Sequence, residues 1–295
     1  MANLRDIKKR IGRAHSTRQV TRTMEMISTA KIRKAQERIE GSRPYSDAMA
    51  EMLSRVAAEA KSASHPLLEV REEKQRVAVV IVTADRGMAG GFSSSVLRLA
   101  ENYIAENRAA GIEVDIIAVG RKSVSYYRYR GIDTVLKLEG MSGEPNYSHA
   151  KTIADRVIRQ YAAGELDEVV VFGNRFVSVA EQRPEGQTLL PFSSDEVVEE
   201  EGEGDKRISG EYIFEPSAEA VLERLIPSFV ESRIFASLLD SAAAEHAARR
   251  KAMKAATDNA TEMIGTLTRS YNRARQAVVT TEIAEIVGGA AAQEG

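Results

Sequence analysis

The chain has no cysteine and no tryptophan, only seven prolines and four histidines, and aromatics make up 5% of its 295 residues. Without cysteine, disulfides, thiolate metal sites and a cysteine nucleophile are excluded. His15, His65, His149 and His246 stand far apart, with no partner at helical spacing, so a zinc cluster has almost nothing to build from. The scarcity of aromatics suits Ala-rich helix packing better than an all-β core. No long apolar run exists: the longest, Val77 to Val82 with Thr83 and Ala84, is far short of the ~20 residues that span a bilayer. The basic N-terminus is not followed by an apolar stretch, so no secretory signal is evident. Net charge is also small, with 41 Lys and Arg against 43 Asp and Glu. That balance argues against a dedicated nucleic-acid binder. These absences describe a cytoplasmic protein of one large domain or two smaller ones, at ~150 residues per domain.

What is present is unevenly placed. Residues 1–40 hold eleven Lys and Arg against four acids. Between Asp195 and Asp205 there are seven acids in eleven positions, the pattern of a solvated loop. The first ~55 residues read as one helix. Leu4, Ile7, Ile11 and Ala14 step by threes and fours, and Val20, Met24 and Ile27 resume the spacing after a slight drift. Asn3 is a fair N-cap, and Pro44 marks a candidate bend. Over the last ~70 residues a longer helix begins near Pro227 and runs through Met253, Ala256, Ala260, Met263, Leu267, Ser270, Ala274 and Val278. Gly288-Gly289 is its expected stop. Between the helices, strands at Val77–Thr83, Glu113–Val119 and Val169–Phe172 alternate with helices at Ser93–Ala110 and Ala150–Ala163. A strand-rich stretch leads to Tyr212–Phe214. This order implies a small, mostly parallel sheet.

The expected fold is therefore α/β plus a long coiled coil: an antiparallel pair of N- and C-terminal helices with an inserted Rossmann-like α/β domain. Its parts would be a shaft helix over residues 1–58, an α/β foot domain over 75–215 and a second shaft helix over 217–288. A 60-residue helix is about 90 Å long, several times the width of a small domain. A narrow apolar stripe of that length needs a second stripe to cover it. Ala14, Ala256 and Ala260 would let the helices approach closely, and the longer C-terminal helix should protrude.

Three features invite a chemical reading. Thr83 to Ser95 follows a strand and opens a helix, where phosphate loops occur, but Gly87, Gly90 and Gly91 fit neither G-x-G-x-x-G nor a Walker loop. An enzyme reading would place Asp85 and Arg86 at this turn. Tyr126-Tyr127-Arg128-Tyr129-Arg130 could stack bases, though it lacks a wider basic face, and a coiled-coil scaffold or nucleic-acid adaptor reading would use the rod and its basic N-terminal end. Neither reading explains the C-terminus, where Glu282 and Glu285 are the only charges from Ala277 to Ala292. An apolar tip on a long helix should be buried in a partner.

Three blocks carry a resemblance across the whole chain, in order. Thr21 to Gln36 resembles the N-terminal signature of the gamma subunit of rotary F-type ATP synthases. Asp85-Arg-Gly-Met-Ala-Gly-Gly-Phe92 is similar to that family's central turn, with Ala89 where many members carry Cys. Ala252–Asn259 and Tyr271–Ala290 resemble its C-terminal signature. The resemblance implies a non-catalytic rotor shaft without cofactor or bound metal. It would stand inside a ring of three alpha and three beta subunits, resting on the membrane c-ring beside epsilon. It would couple proton or sodium flow to ATP synthesis, as a peripheral protein on the cytoplasmic face of the cell membrane, with no direct membrane insertion and no nucleic acid. Met24, Arg249, Gln276 and Thr280 match positions that touch the beta subunits. Tyr212 and Glu215 match the foot facing the c-ring and epsilon, with Phe214 where Tyr is common. Ile283, Ile286 and Val287 would form the apolar bearing tip. Redox control through a cysteine pair, known in chloroplast relatives, would be absent.

Overall fold

The computed structural model describes residues 4–59, 66–67, 69–71, 73–191 and 217–293. The expected cap at Asn3, the acidic run 195–205 and Tyr212–Glu215 lie outside them. In chain order the elements are α1 (Leu4–Glu59), β1 (Arg76–Val82), α2 (Phe92–Ala109), β2 (Glu113–Val119), α3 (Arg121–Tyr129), β3 (Leu136–Leu138), α4 (Tyr147–Ala162), β4 (Glu168–Phe176), β5 (Gln182–Leu190) and α5 (Ala218–Gln293). They form two compact units, Met1–Ser28 with Arg249–Gly295, and Thr29–Ala248. Helices α1 and α5 each contribute a segment to both.

In the larger unit the sheet order is β3-β2-β1-β4-β5, parallel except for the antiparallel β4–β5 pair. Strand β1 is central and apolar on both faces, as a covered parallel strand requires. Its side chains alternate between two cores. Ala78, Val80 and Val82 join α4 and the helix pair, represented by Met49, Leu53 and Val56 of α1 and Leu222, Ile226, Phe229, Val230, Ile234 and Leu238 of α5. Val79 and Ile81 face α2 and α3 through Val96, Ala100, Ile104, Val124 and Tyr127. The chain enters α3 at Gly120, whose φ is +90°. A Cβ there would lie 2.0 Å from the Thr83 carbonyl oxygen, so only glycine fits.

The helix pairing is antiparallel. Ser46 Oγ lies 3.2 Å from Ser232 Oγ in the larger unit, and Thr257 Oγ1 donates to Thr21 Oγ1 at 2.7 Å in the smaller one.

The buried seam of α1 differs from the expected stripe. Val20 and Ile27 are more than half exposed, while Ile7, Ala14, Thr21, Ser28, Ala35, Met49 and Val56 are buried. These positions keep a seven-residue repeat, the spacing of helices that wind around each other. Thr21 and Ser28 enter the seam because each hydroxyl is satisfied on its own helix, donating to the carbonyls of Arg18 and Met24. In α5 the same correction applies: Met263 and Ser270 are exposed, and Ile264 and Tyr271 are partly covered in their place. Helix α5 also runs past the expected Gly288-Gly289 stop to Gln293. The alanines that follow are the strongest helix formers and carry it on. Pro44 and Pro227 likewise lie within helices.

Candidate functional site

In open α/β sheets ligands bind at the carboxyl ends of the strands, where the strand order reverses. Here that point lies between β1 and β4. It is filled by protein: Ala84, Ala89, Phe92 and Ala244 form a buried cluster, with Phe176 and Ala248 packed against it. Asn174 closes the gap by donating through Nδ2 to the Phe92 carbonyl at 3.2 Å. Helix α5 contributes Ala244 to this cluster, with Ala248 packed beside it.

Asp85, the acid of the enzyme reading, is committed elsewhere. Its carboxylate accepts from the backbone amides of Arg121 (2.9 Å), Gly140 (2.8 Å) and Ser142 (2.8 Å). Its own amide donates to Ser142 Oγ at 2.8 Å. Burial pushes the Asp85 carboxyl up, but these donors outweigh it and hold the group below its ordinary range. Three of the roughly four acceptor sites of this carboxylate are taken by backbone amides, so its chief task is to tie loops together. Among the described residues no group of three His, Asp or Glu is arranged to hold a metal ion.

The tyrosine cluster belongs to α3, a helix the sequence reading left out. Tyr127 is fully buried and Tyr126 stacks edge-on against it, with the Arg130 guanidinium 4.6 Å from the Tyr126 ring centre. Only Tyr129 is fully presented to solvent. One exposed ring is no stacking platform, and the base-binding expectation for this cluster falls. Two of the described histidines make structural hydrogen bonds. His149 Nδ1 accepts from the Asn146 amide at the start of α4, and His246 Nε2 lies 3.1 Å from the Gly143 carbonyl oxygen.

The proposed contact residues fall at different levels of the smaller unit. Met24 is half-buried on α1, and Arg249 on α5 is 7% exposed. Gln276 and Thr280 are exposed and lie about 40 Å further along α5, at 1.5 Å per residue. Burial on α5 lapses after Ala274, because the antiparallel register places that residue opposite Leu4, where α1 begins. Beyond it every residue from Arg275 to Ala290 is exposed. Ile283, Ile286 and Val287 are 56%, 71% and 62% exposed, with Val278 and Val279 close behind. No helix among the described residues is long and apolar enough to cross a membrane.

The crevice of the sheet is lined by Ala244 of α5, and the exposed end of the same helix presents an apolar surface of the kind a protein partner covers. A family model described as ATP synthase matches residues 3–293. The ATP synthase gamma chain of Pelotomaculum thermopropionicum is 49% identical over the full length of both chains, and that of Desulforamulus reducens 48%. Among solved structures, a chain of the Tetrahymena thermophila mitochondrial ATP synthase central stalk and c-ring is 25% identical, covering 80% of this chain and 99% of its own, with a TM-score of 0.60. A chain of the Euglena gracilis mitochondrial enzyme, 18% identical over 98% of this chain and 94% of its own, shares the fold at a TM-score of 0.64. The chain belongs to the ATP synthase gamma chain family, as a non-catalytic subunit of that complex.

Proposed function

We propose that this chain is the central rotor shaft of an F-type ATP synthase. Its helix pair stands within three alpha and three beta subunits, and its α/β domain rests on the membrane c-ring beside epsilon. Rotation driven by proton or sodium flow then takes each beta site in turn through its nucleotide-affinity states. The complex sits on the cytoplasmic face of the cell membrane with this chain peripheral to it. One observation carries the reading: sixteen consecutive helical residues, Arg275 to Ala290, lie uncovered and present Val278, Val279, Ile283, Ile286 and Val287 to solvent. A surface of that kind persists where a partner covers it.

The roles divide by chemistry. Gln276 and Thr280 offer directional hydrogen bonds to the beta subunits, joined at the lower level by Met24 and Arg249. Ile283, Ile286 and Val287 offer only apolar contact, which slides without breaking hydrogen bonds and so suits a bearing. Tyr212 and Glu215 carry the contact with the c-ring and epsilon. In these terms residues 1–58 and 217–288 are the shaft and 75–215 the foot. Co-expression with alpha and beta subunits tests the reading: the three should purify as one complex with ATPase activity, and this chain alone should have none. Turnover by the isolated chain, or its absence from the complex, would overturn it.

A further inference from the structure

The segment Glu139–Tyr147, which follows β3 and ends on the first residue of α4, contacts three separate parts of the larger unit. Toward α1, Glu144 Oε1 lies 3.6 Å from Lys31 Nζ and 3.7 Å from Lys34 Nζ, and Arg38 donates to the Pro145 carbonyl. Toward α5, the Gly143 carbonyl meets His246, and Tyr147 Oη donates to Glu231 at 2.7 Å with its ring against Phe235. Toward the sheet, Gly140 and Ser142 are held by Asp85. Met141 and Ser142 are buried beneath.

The position of these contacts gives them a mechanical meaning. In the apolar cores α1 is represented by Met49, Leu53 and Val56, near its C-terminal end. Lys34 lies 19 residues before Leu53, about 28 Å along the helix. Along that stretch α1 is already paired with α5, as buried Ala35 and the Ser46–Ser232 contact show, and a second attachment to the α/β domain stiffens it further. The second attachment of α1 to the α/β domain is polar, and Glu144 is its centre.

Resting on the shaft reading above, we propose that Glu139–Tyr147 is a strut through which rotational force entering the α/β domain passes to the helix pair, with Glu144 and the Lys31–Lys34 face of α1 as its clamp. Its task is stiffness under load, so its loss should appear only when the foot is driven against the shaft.

The test uses the full chain assembled in membrane vesicles. Glu144→Lys sets like charges against Lys31 and Lys34; combining it with Lys31→Glu and Lys34→Glu restores opposite charges with the partners exchanged. ATP synthesis under a limiting ion gradient should fall about threefold in the single variant, the size exposed ion pairs of this kind support. Hydrolysis by the same complexes stripped of the membrane sector, where the foot carries no load, should stay near that of the unaltered chain. The triple variant should regain most of the synthesis rate. Undiminished synthesis in the single variant, or a triple variant as poor as the single, would overturn the strut. If Glu144→Lys blocks assembly, assembly and synthesis restored in the triple variant support the clamp, and continued failure refutes it. Failure of the unaltered chain to copurify with alpha and beta subunits would instead remove the shaft reading, and the strut with it.

Discussion

Asp85 and Ser142 hold each other twice: the Ser142 amide donates to Asp85 Oδ2 at 2.8 Å, and the Asp85 amide donates to Ser142 Oγ at 2.8 Å. This reciprocal pair joins the turn after β1 to the segment after β3, with Arg121 and Gly140 adding two further amides. It explains why an acid stands at the mouth of a sheet that turns over no ligand. Asp85→Ala leaves three amides without their acceptor, the Ser142 amide part-buried and those of Arg121 and Gly140 exposed, and should cost about 1–2 kcal/mol. The folded pKa of Asp85 is depressed, so its contribution is complete above the unfolded value and fades as pH falls through the folded one. Urea unfolding of both proteins at pH 7 and pH 3 checks this. The stability gap should narrow in acid.

Asp240 shows the opposite sign. It lines a cleft of about 610 Å³ with Arg43, Arg175 and Glu185. Burial pushes its carboxyl up to about 6, opposed by Arg175 and Arg43 and aided by Glu185. A folded pKa above the unfolded one means that the folded state holds the proton better. Ionised Asp240 therefore destabilises, starting near the unfolded pKa of ~4 and reaching its full effect above about 6. Asp240→Asn should raise stability at pH 8 by roughly 1–2 kcal/mol and change it little at pH 4. Thermal unfolding across that range reads it directly.

How much of this was legible in sequence follows from the side chains involved. Strand β1 was, since an unbroken apolar run can only be buried on both faces. The length of the helix pair and its bare end were legible too, because only Glu282 and Glu285 carry charge from Ala277 to Ala292. The seam was misplaced at Val20, Ile27, Met263 and Ser270. Thr21, Ser28 and Tyr271 look like surface residues until their hydroxyls and ring find local cover. Helix α3 escaped because Arg, Lys, Ser and Tyr mask an apolar face made of Val124 and Tyr127. Strand β3, three residues on a sheet edge, carries too little pattern to see. The role of Asp85 depends on residues 36 to 57 positions away, which no local spacing reveals.

Arg249 and Gln276 share a proposed role but not an environment. Arg249→Ala empties a buried position and should destabilise the chain by about 1–3 kcal/mol. Gln276→Ala alters an exposed helix position and should stay within about 0.5 kcal/mol. Thermal melts of the two variants separate them before any complex is assembled. A loss of ATP synthesis on Gln276→Ala, with the melt unchanged, would then report on a contact rather than on folding.

As the shaft of a rotary enzyme, this chain must turn. Because it has no cysteine, a single one introduced at exposed Lys137 of the α/β domain gives a unique attachment point for a marker bead. With the alpha and beta subunits fixed to a surface and ATP supplied, the account predicts that the bead rotates in one direction, in three equal steps per revolution. A bead that stays still while the same complexes hydrolyse ATP would contradict it.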